Sequence, residues 1–344
     1  MKAVKALVRT ILAGIVAVAI LSGIMCLYDL RPVHHENPKG NTDYVWESNA
    51  PWVRLTEGIS WGRFDTDGFN NPAVIEDPDI LILGSSHMEA TNVCFDQSVC
   101  GQLAKKLEDR YSVYNLGMSG HHLFKVCQYL PINLKMHETA PKVAVIETSS
   151  VSVSAENVRK MLNFEVDHTP SHATGLIGLL QKVPFIRTIY TQMDNGLLNL
   201  FMDRRGDAAK TADEEVVEEI PVDAIDENAY DQFFGYLASM EKEYGTQIII
   251  FYHPTETLDD EAGIVFNTTA ALDAFDAYAR KYGIDFINMA ASFKEMYLAD
   301  HLVAHGFVTG RVASGHLNAN GHRAVAEALY KVINNLEEEG VLCK

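Results

Sequence analysis

Ile80-Leu-Ile-Leu-Gly-Ser-Ser-His-Met-Glu-Ala90 is the stretch on which the fold turns. Four apolar residues between Pro78 and Gly84 predict a short buried strand. Gly84, Ser85 and Ser86 are small enough for the sharp turn that must follow. A serine there sits at the C-terminal end of a buried parallel strand, where open α/β sheets place their ligands. A serine hydroxyl is a weak nucleophile until a base takes its proton, so a histidine is needed from elsewhere. Ser314-Gly-His-Leu-Asn-Ala-Asn-Gly321 offers one in His316, and Gly315 and Gly321 let that loop bend before a helix starts.

Between these ends, apolar runs alternate with helical spacing. Tyr111–Leu116, Lys142–Thr148, Gln247–Tyr252 and Ile284–Asn288 read as further strands. Gln97–Arg110, His122–Met136, Asp231–Tyr244, Ala270–Tyr282 and Ala319–Asn335 read as helices, the last with Asn318 as its N-cap. Pro131 is expected to kink or end the second helix. This alternation predicts a parallel sheet covered on both faces.

Ahead of that body, Ile11 to Leu27 is an unbroken apolar and small run, extended by Ala6, Leu7 and Val8. Its length is close to the roughly 20 residues that span a bilayer. Lys2, Lys5 and Arg9 precede it and Asp29 follows, an arrangement that keeps the N-terminus in the cytoplasm and the body outside. A cleavable signal peptide is the rival reading. No small-x-small cleavage site follows, and Met25 before Cys26 spoils a lipoprotein-type site, so an uncleaved anchor over residues 1–28 is expected. With those three cations set aside, 25 of 28 basic residues remain against 46 acidic ones, a charge of −21. Such a surface excludes nucleic acid as a partner, because phosphate binding needs clustered Lys and Arg. Residues 29–78, with three tryptophans (Trp46, Trp52 and Trp61), read as a linker that becomes an arm packed on a domain of residues 79–344. Asp67-Gly-Phe-Asn-Asn-Pro72 reads as a turn.

The serine and histidine blocks resemble those of the SGNH (GDSL-like) hydrolase superfamily over roughly residues 75–335. Gly84-Ser85-Ser86 stands where that superfamily has Gly-Asp-Ser, and His316-Leu317-Asn318 stands at its base position. The resemblance implies a three-layer α/β/α fold on a flavodoxin-like, five-stranded parallel sheet, added here to the N-terminal transmembrane helix. It implies Ser86 as nucleophile and His316 as base. In Asn115-Leu-Gly-Met-Ser-Gly120, the match to the second block makes Gly120 an oxyanion donor, beside the Ser86 N–H. No metal and no cofactor are expected. A one-helix anchor before such a domain looks like proteins that add or remove acyl groups on envelope polysaccharides. The expected partners are therefore an acylated carbohydrate or other ester and the membrane.

Two departures weaken that match. The third block's Asn, a second oxyanion donor, is replaced by Val151, with Ser149 and Ser150 as substitutes. The Asp three residues before the base is Ala313, and no carboxylate lies between Asp300 and Glu327. An orienter for His316 must then come from elsewhere or be a backbone carbonyl. The alternative these departures support is an inactive SGNH-like domain that binds glycan or a partner protein in an envelope assembly. His87 is expected to point away from Ser86 and line the cleft wall. His121, His122, His253 and His305 match no zinc spacing and read as loop histidines. Cys94 and Cys100 are the closest cysteine pair beyond the membrane segment, open to a disulfide or to two free thiols. The interval 150–230 is an insertion, first apolar (Leu176–Ile186) and then acidic (Asp207–Asp231), read as a solvated loop with a lid over the cleft as the alternative.

Overall fold

The structure is a computed structural model. It describes residues 2–30, 32–55, 57–108, 110–164, 183, 185, 225–259, 261, 263–266, 269–309 and 312–342. The apolar Leu176–Leu180 stretch, the acidic run from Asp207 to residue 224 with its lid reading, and Cys343 lie outside the described residues.

Five strands form the central sheet: β1 (Ile80–Leu83), β2 (Val113–Asn115), β3 (Val143–Thr148), β4 (Gln247–Tyr252) and β5 (Asp285–Asn288). Their order is β5-β4-β3-β1-β2. All pairings are parallel, with Ile80 opposite both Val113 and Val143, Val143 opposite Gln247, and Asp285 opposite Ile249. This is the flavodoxin-like winding 2-1-3-4-5. Strand residues alternate between two cores, because successive side chains point to opposite faces. Leu81, Leu83, Ala144, Ile146, Ile248 and Ile250 face one layer, built from α4 (Leu123–Lys135), α5 (Ala155–Leu162), α6 (Glu227–Tyr244) and α7 (Ala270–Tyr282). Ile80, Ile82, Val143, Val145, Ile249 and Phe251 face the other, built from α3 (Val99–Leu107), α8 (Ala290–Asp300) and α9 (Ala319–Glu338). Burial on both faces is why β1 reads as four consecutive apolar residues.

Helix α4 runs through Pro131 instead of kinking to a stop there. Proline cannot donate to the carbonyl four residues back, that of Cys127. The Tyr236 hydroxyl on α6 takes that place, donating to the Cys127 oxygen at 3.1 Å. Cys94 and Cys100 are free thiols, and Cys100 is buried in α3 with its Sγ toward the Val113 carbonyl at 3.7 Å.

Ahead of the sheet, α1 (Lys2–Tyr28) is a single helix, and Val4–Ile24 within it is apolar, unburied and long enough to cross a membrane. Residues 29–78 then wrap onto the domain. A hairpin pairs His34–Glu36 with Tyr44–Trp46, and a three-stranded antiparallel sheet joins Asp29–Leu30, Pro51–Arg54 and Ser60–Arg63. Trp52, Phe64 and Phe69 are buried. The fastening is polar. Buried Asp65 accepts from the Asp67 and Phe69 N–H groups (2.9 and 3.0 Å), the Asn71 amide (2.9 Å) and the Tyr114 hydroxyl of β2 (2.8 Å). Asn71 in turn grips the Asn115 backbone, accepting from its N–H and donating to its carbonyl, both at 2.9 Å. This covers the open edge of β2.

Replacing Asp65 by Ala leaves a hydroxyl, an amide and two backbone N–H groups without their buried acceptor. A loss of about 2–4 kcal/mol in urea unfolding is expected, together with faster protease cleavage within residues 29–78.

Candidate active site

The turn after β1 is locked from below. Gly84 has no room for a side chain: a Cβ there would lie 2.5 Å from Glu147 Oε2 and 2.7 Å from Met88 Cγ. The Ser85 N–H donates to Glu147 Oε2 at 2.6 Å, and the Ser85 hydroxyl caps α2 (Ser86–Glu89) by accepting from the His87 N–H at 3.2 Å. Ser86 is therefore the first residue of a helical turn, and its N–H has no partner among the described residues. The Asn115–Gly120 loop is tied to this turn by the Met118 N–H on the Gly84 carbonyl (3.0 Å) and the Asn115 amide on the Met88 carbonyl (2.7 Å). Buried Glu89 accepts from the Ser119 hydroxyl and the Trp46 indole, and burial pushes its carboxyl up. Gly120 takes φ +76°, and its N–H also lacks a partner among the described residues.

His316 lies on the strand Val312–Leu317, which pairs with His305–Gly306. Its Nε2 is 2.8 Å from Ser86 Oγ, although 230 residues separate the two. Its other edge meets a group that the sequence did not point to: Glu57, from the arm. The His316 Nδ1–H donates to Glu57 Oε2 at 2.8 Å, and the His316 backbone N–H donates to Oε1 at 3.0 Å. With Nδ1 protonated, Nε2 is the free acceptor for the Ser86 hydroxyl. Gly315 permits this grip, since it holds φ +82° and a Cβ there would meet Glu57 Oε1 at 2.7 Å. The Asn92 amide donates to Glu57 Oε2 at 2.9 Å. Burial alone would raise the Glu57 pKa; the bonds from His316, its charge and that of Arg54 outweigh burial and bring it down to about 2. Ala313 stands where the superfamily has its Asp, and the carboxylate comes instead from 259 residues away.

The histidines correct the loop reading. His253 and His305 are buried in a chain of four side chains beneath the nucleophile turn. Glu147 Oε1 bonds His253 Nε2 at 2.7 Å, His253 Nδ1 meets His305 Nε2 at 3.1 Å, and His305 Nδ1 bonds Glu256 Oε2. Three hydrogen bonds need three protons, and two neutral imidazoles bring only two. Burial would raise both carboxyls, but the His253 and Ser85 bonds hold Glu147 below its usual value, and the His305 bonds do the same for Glu256. The chain of four thus holds one proton more than two neutral rings supply, while burial lowers the His305 pKa despite its bond to Glu256. His87 joins the group from above: its ring lies 4.3 Å from that of His253 and 5.0 Å from that of His316, and its Nδ1 accepts the Leu317 N–H at 3.1 Å. It is thus a support between base and buried chain, not only a cleft wall, and burial drives its pKa well down. His121 is buried too, 3.3 Å from the Thr42 hydroxyl, and burial lowers it to about 3. His122 sits at the N-cap of α4.

His87, His253 and His305 offer ring nitrogens within 4.8 Å of one another, a set able to hold a metal ion. Two of the three carry the carboxylate partner that ligating histidines use. However, His253 Nδ1 and His305 Nε2 bond each other, and His87 Nδ1 receives a backbone N–H. Those nitrogens are occupied by hydrogen bonds, and the set fits a proton-sharing cluster better than a metal centre. Val151, at the place of the superfamily's Asn, is buried, and its carbonyl accepts the Tyr230 hydroxyl at 3.2 Å. Ser150 folds back on Thr148, its N–H on the Thr148 hydroxyl at 3.1 Å.

No protein-family model matches the chain, and no curated protein matches it. Solved structures similar to it include an acetyl xylan esterase, 14% identical, covering 74% of this chain and 99% of that one with a TM-score of 0.39. A member of the lipolytic protein G-D-S-L family from Veillonella parvula is 12% identical over 74% and 97% of the two chains, with a TM-score of 0.37. A catalytic mutant of an acetylxylan esterase from Geobacillus stearothermophilus is 12% identical over 75% and 95%, with a TM-score of 0.41. The chain is similar in fold to G-D-S-L hydrolases.

Two outcomes follow from the electrostatics. Glu57 has a folded pKa of about 2 against an ordinary 4.5, so its contribution to stability is complete above pH 4.5 and is lost as pH falls toward 2. Urea midpoints of the wild type should fall more steeply across that window than those of Glu57→Gln. In Glu256→Gln, the amide donates to His305 Nδ1, and all three bonds form with neutral rings. Nitrogen-15 NMR should show both His253 and His305 as neutral Nε2–H tautomers in the variant and a different ring pattern in the wild type.

Proposed function

We propose that this chain is a membrane-anchored, extracytoplasmic serine esterase or O-acyltransferase of SGNH type, acting on acyl esters of cell-envelope glycans. The line from Glu57 through His316 to Ser86, with 2.8 Å at both junctions, carries the reading. Ser86 Oγ attacks the ester carbonyl as its proton passes to His316 Nε2. Glu57 holds the Nδ1–H tautomer and offsets the charge of the imidazolium. The oxyanion of the tetrahedral intermediate is met by the N–H groups of Ser86 and Gly120, both without other partners among the described residues. When the intermediate collapses, the C–O bond to the leaving alkoxide breaks and His316 returns its proton to that oxygen. The Ser86 acyl-enzyme then passes its acyl group to water or to a sugar hydroxyl, which His316 deprotonates in turn.

The silent-domain alternative drew on the missing Asn and the missing Asp; the Glu57 carboxylate stands in for the Asp, while Val151 still leaves the Asn without a replacement. The glycan assignment follows from the anchor and the SGNH resemblance, as does the outward placement of the body.

A fluorophosphonate probe tests the chemistry directly. Wild type should be labelled and Ser86→Ala should not; equal labelling of both would end the reading. Glu57→Gln keeps the shape but loses the ionised partner, and hydrolysis of a small ester should fall by roughly 10²–10⁴-fold.

A further inference from the structure

Helix α1 does not lead into a free tether. Asp29 and Leu30, directly after its last residue, pair antiparallel with Arg54 and Val53. Paired Cα atoms lie about 5 Å apart, and Glu57 is three residues beyond Arg54, at about 3.3 Å per residue. The Cα of the triad acid therefore stands within about 15 Å of that of Asp29, the residue that follows the helix.

The rim around it is apolar. Ile59 is 64% exposed, Trp61 63%, Val308 100% and Val312 58%. The Gly58 N–H donates to the Thr309 hydroxyl at 2.9 Å, which ties the segment of Ile59 to the segment of Val308. Val312 lies opposite Gly306 on the strand that carries His316. Four large apolar side chains are thus exposed on the segments that carry Glu57 and His316 or are bonded to them, and exposed apolar surface of this kind marks docking or membrane surfaces. An exposed tryptophan near the end of a spanning helix belongs to the headgroup layer. The rest of the body, at −21 overall, resists a polyanion arriving from solution.

Resting on the esterase reading and on α1 as a membrane span, we infer that the catalytic mouth opens on the bilayer surface. Ile59, Trp61, Val308 and Val312 dip into the interface, and the ester that Ser86 attacks is carried by a membrane-inserted amphiphile. The acyl carbon leaves the ester oxygen of that amphiphile for Ser86 Oγ, and the released alkoxide takes its proton from His316.

The test uses the full chain in phosphatidylcholine vesicles. Brominated acyl chains should quench tryptophan emission in the wild type, and Trp61→Phe should remove that quenching, since Trp52 is buried and Trp46 stacks on Phe64. Equal emission in brominated and ordinary vesicles, or protein that does not float with them, overturns the inference. In the second arm, Trp61→Ser with Val308→Ser should lose about tenfold in kcat/KM on a long-chain ester held in the vesicles. It should keep wild-type rates on a short water-soluble ester. Equal loss on both esters, or on neither, overturns the lipid-borne substrate. If the wild type cleaves neither ester and takes no fluorophosphonate, the esterase reading fails instead, and the quenching still reports on the surface.

Discussion

Everything chemical in this molecule depends on a carboxylate reaching one imidazole from outside the wound domain. Glu57 takes His316 by two bonds at once, one to the ring and one to the backbone. The backbone bond fixes the loop, and the ring bond fixes the tautomer. A backbone carbonyl could have held the ring, but it carries no charge to set against the imidazolium. The grip has its own supports, from Asn92 and from the charge of Arg54. Those supports in turn depend on the Asp65 clasp that seats the arm on β2. A disturbance of the arm is therefore a disturbance of the base.

The nucleophile side is built by the opposite method. Ser86 is placed by rigid backbone, and the rigidity comes from charge buried below it. Glu147 holds the Ser85 N–H and shares a proton-rich chain with His253, His305 and Glu256. A buried carboxylate without such partners would be raised or expelled; here the bonds from His253 and Ser85 hold Glu147 below its usual value and in place. The Glu256 end also accepts the His305 N–H at 2.9 Å, at the start of the short strand pairing with that of His316. Both halves of the reactive pair are thereby referred to one buried polar spine.

How far the sequence revealed this depends on whether the signal was local. Strand β1, strand β4 and helix α7 match their sequence bounds, since their periodicity and bounding turns lie within each segment. Ser86 and His316 were legible because each sits in a short block with glycine and small residues around it. Glu57 was not. It lies in an irregular stretch, its partner is 259 residues away, and a Glu-Gly step carries no motif. Nor did the spacing of His253 and His305 show that they meet, because the contact is made by β4 and the His305–Gly306 hairpin lying side by side. Helix α4 survived its proline for a reason equally invisible from sequence, the Tyr236 hydroxyl on another helix.

The same arm that supplies the acid also continues the apolar helix, and this joins two properties that are usually separate. A flexible linker after a helix only limits diffusion, and its composition sets reach rather than chemistry. Here the first residues after α1 are already a strand of the sheet that leads to Glu57. Too few residues intervene for the domain to swing freely about the helix while keeping its carboxylate on His316. The orientation of the mouth relative to the helix is thus constrained by the hydrogen bonds that orient the base. Ile59 and Trp61, both exposed, lie on the same short segment that follows Glu57.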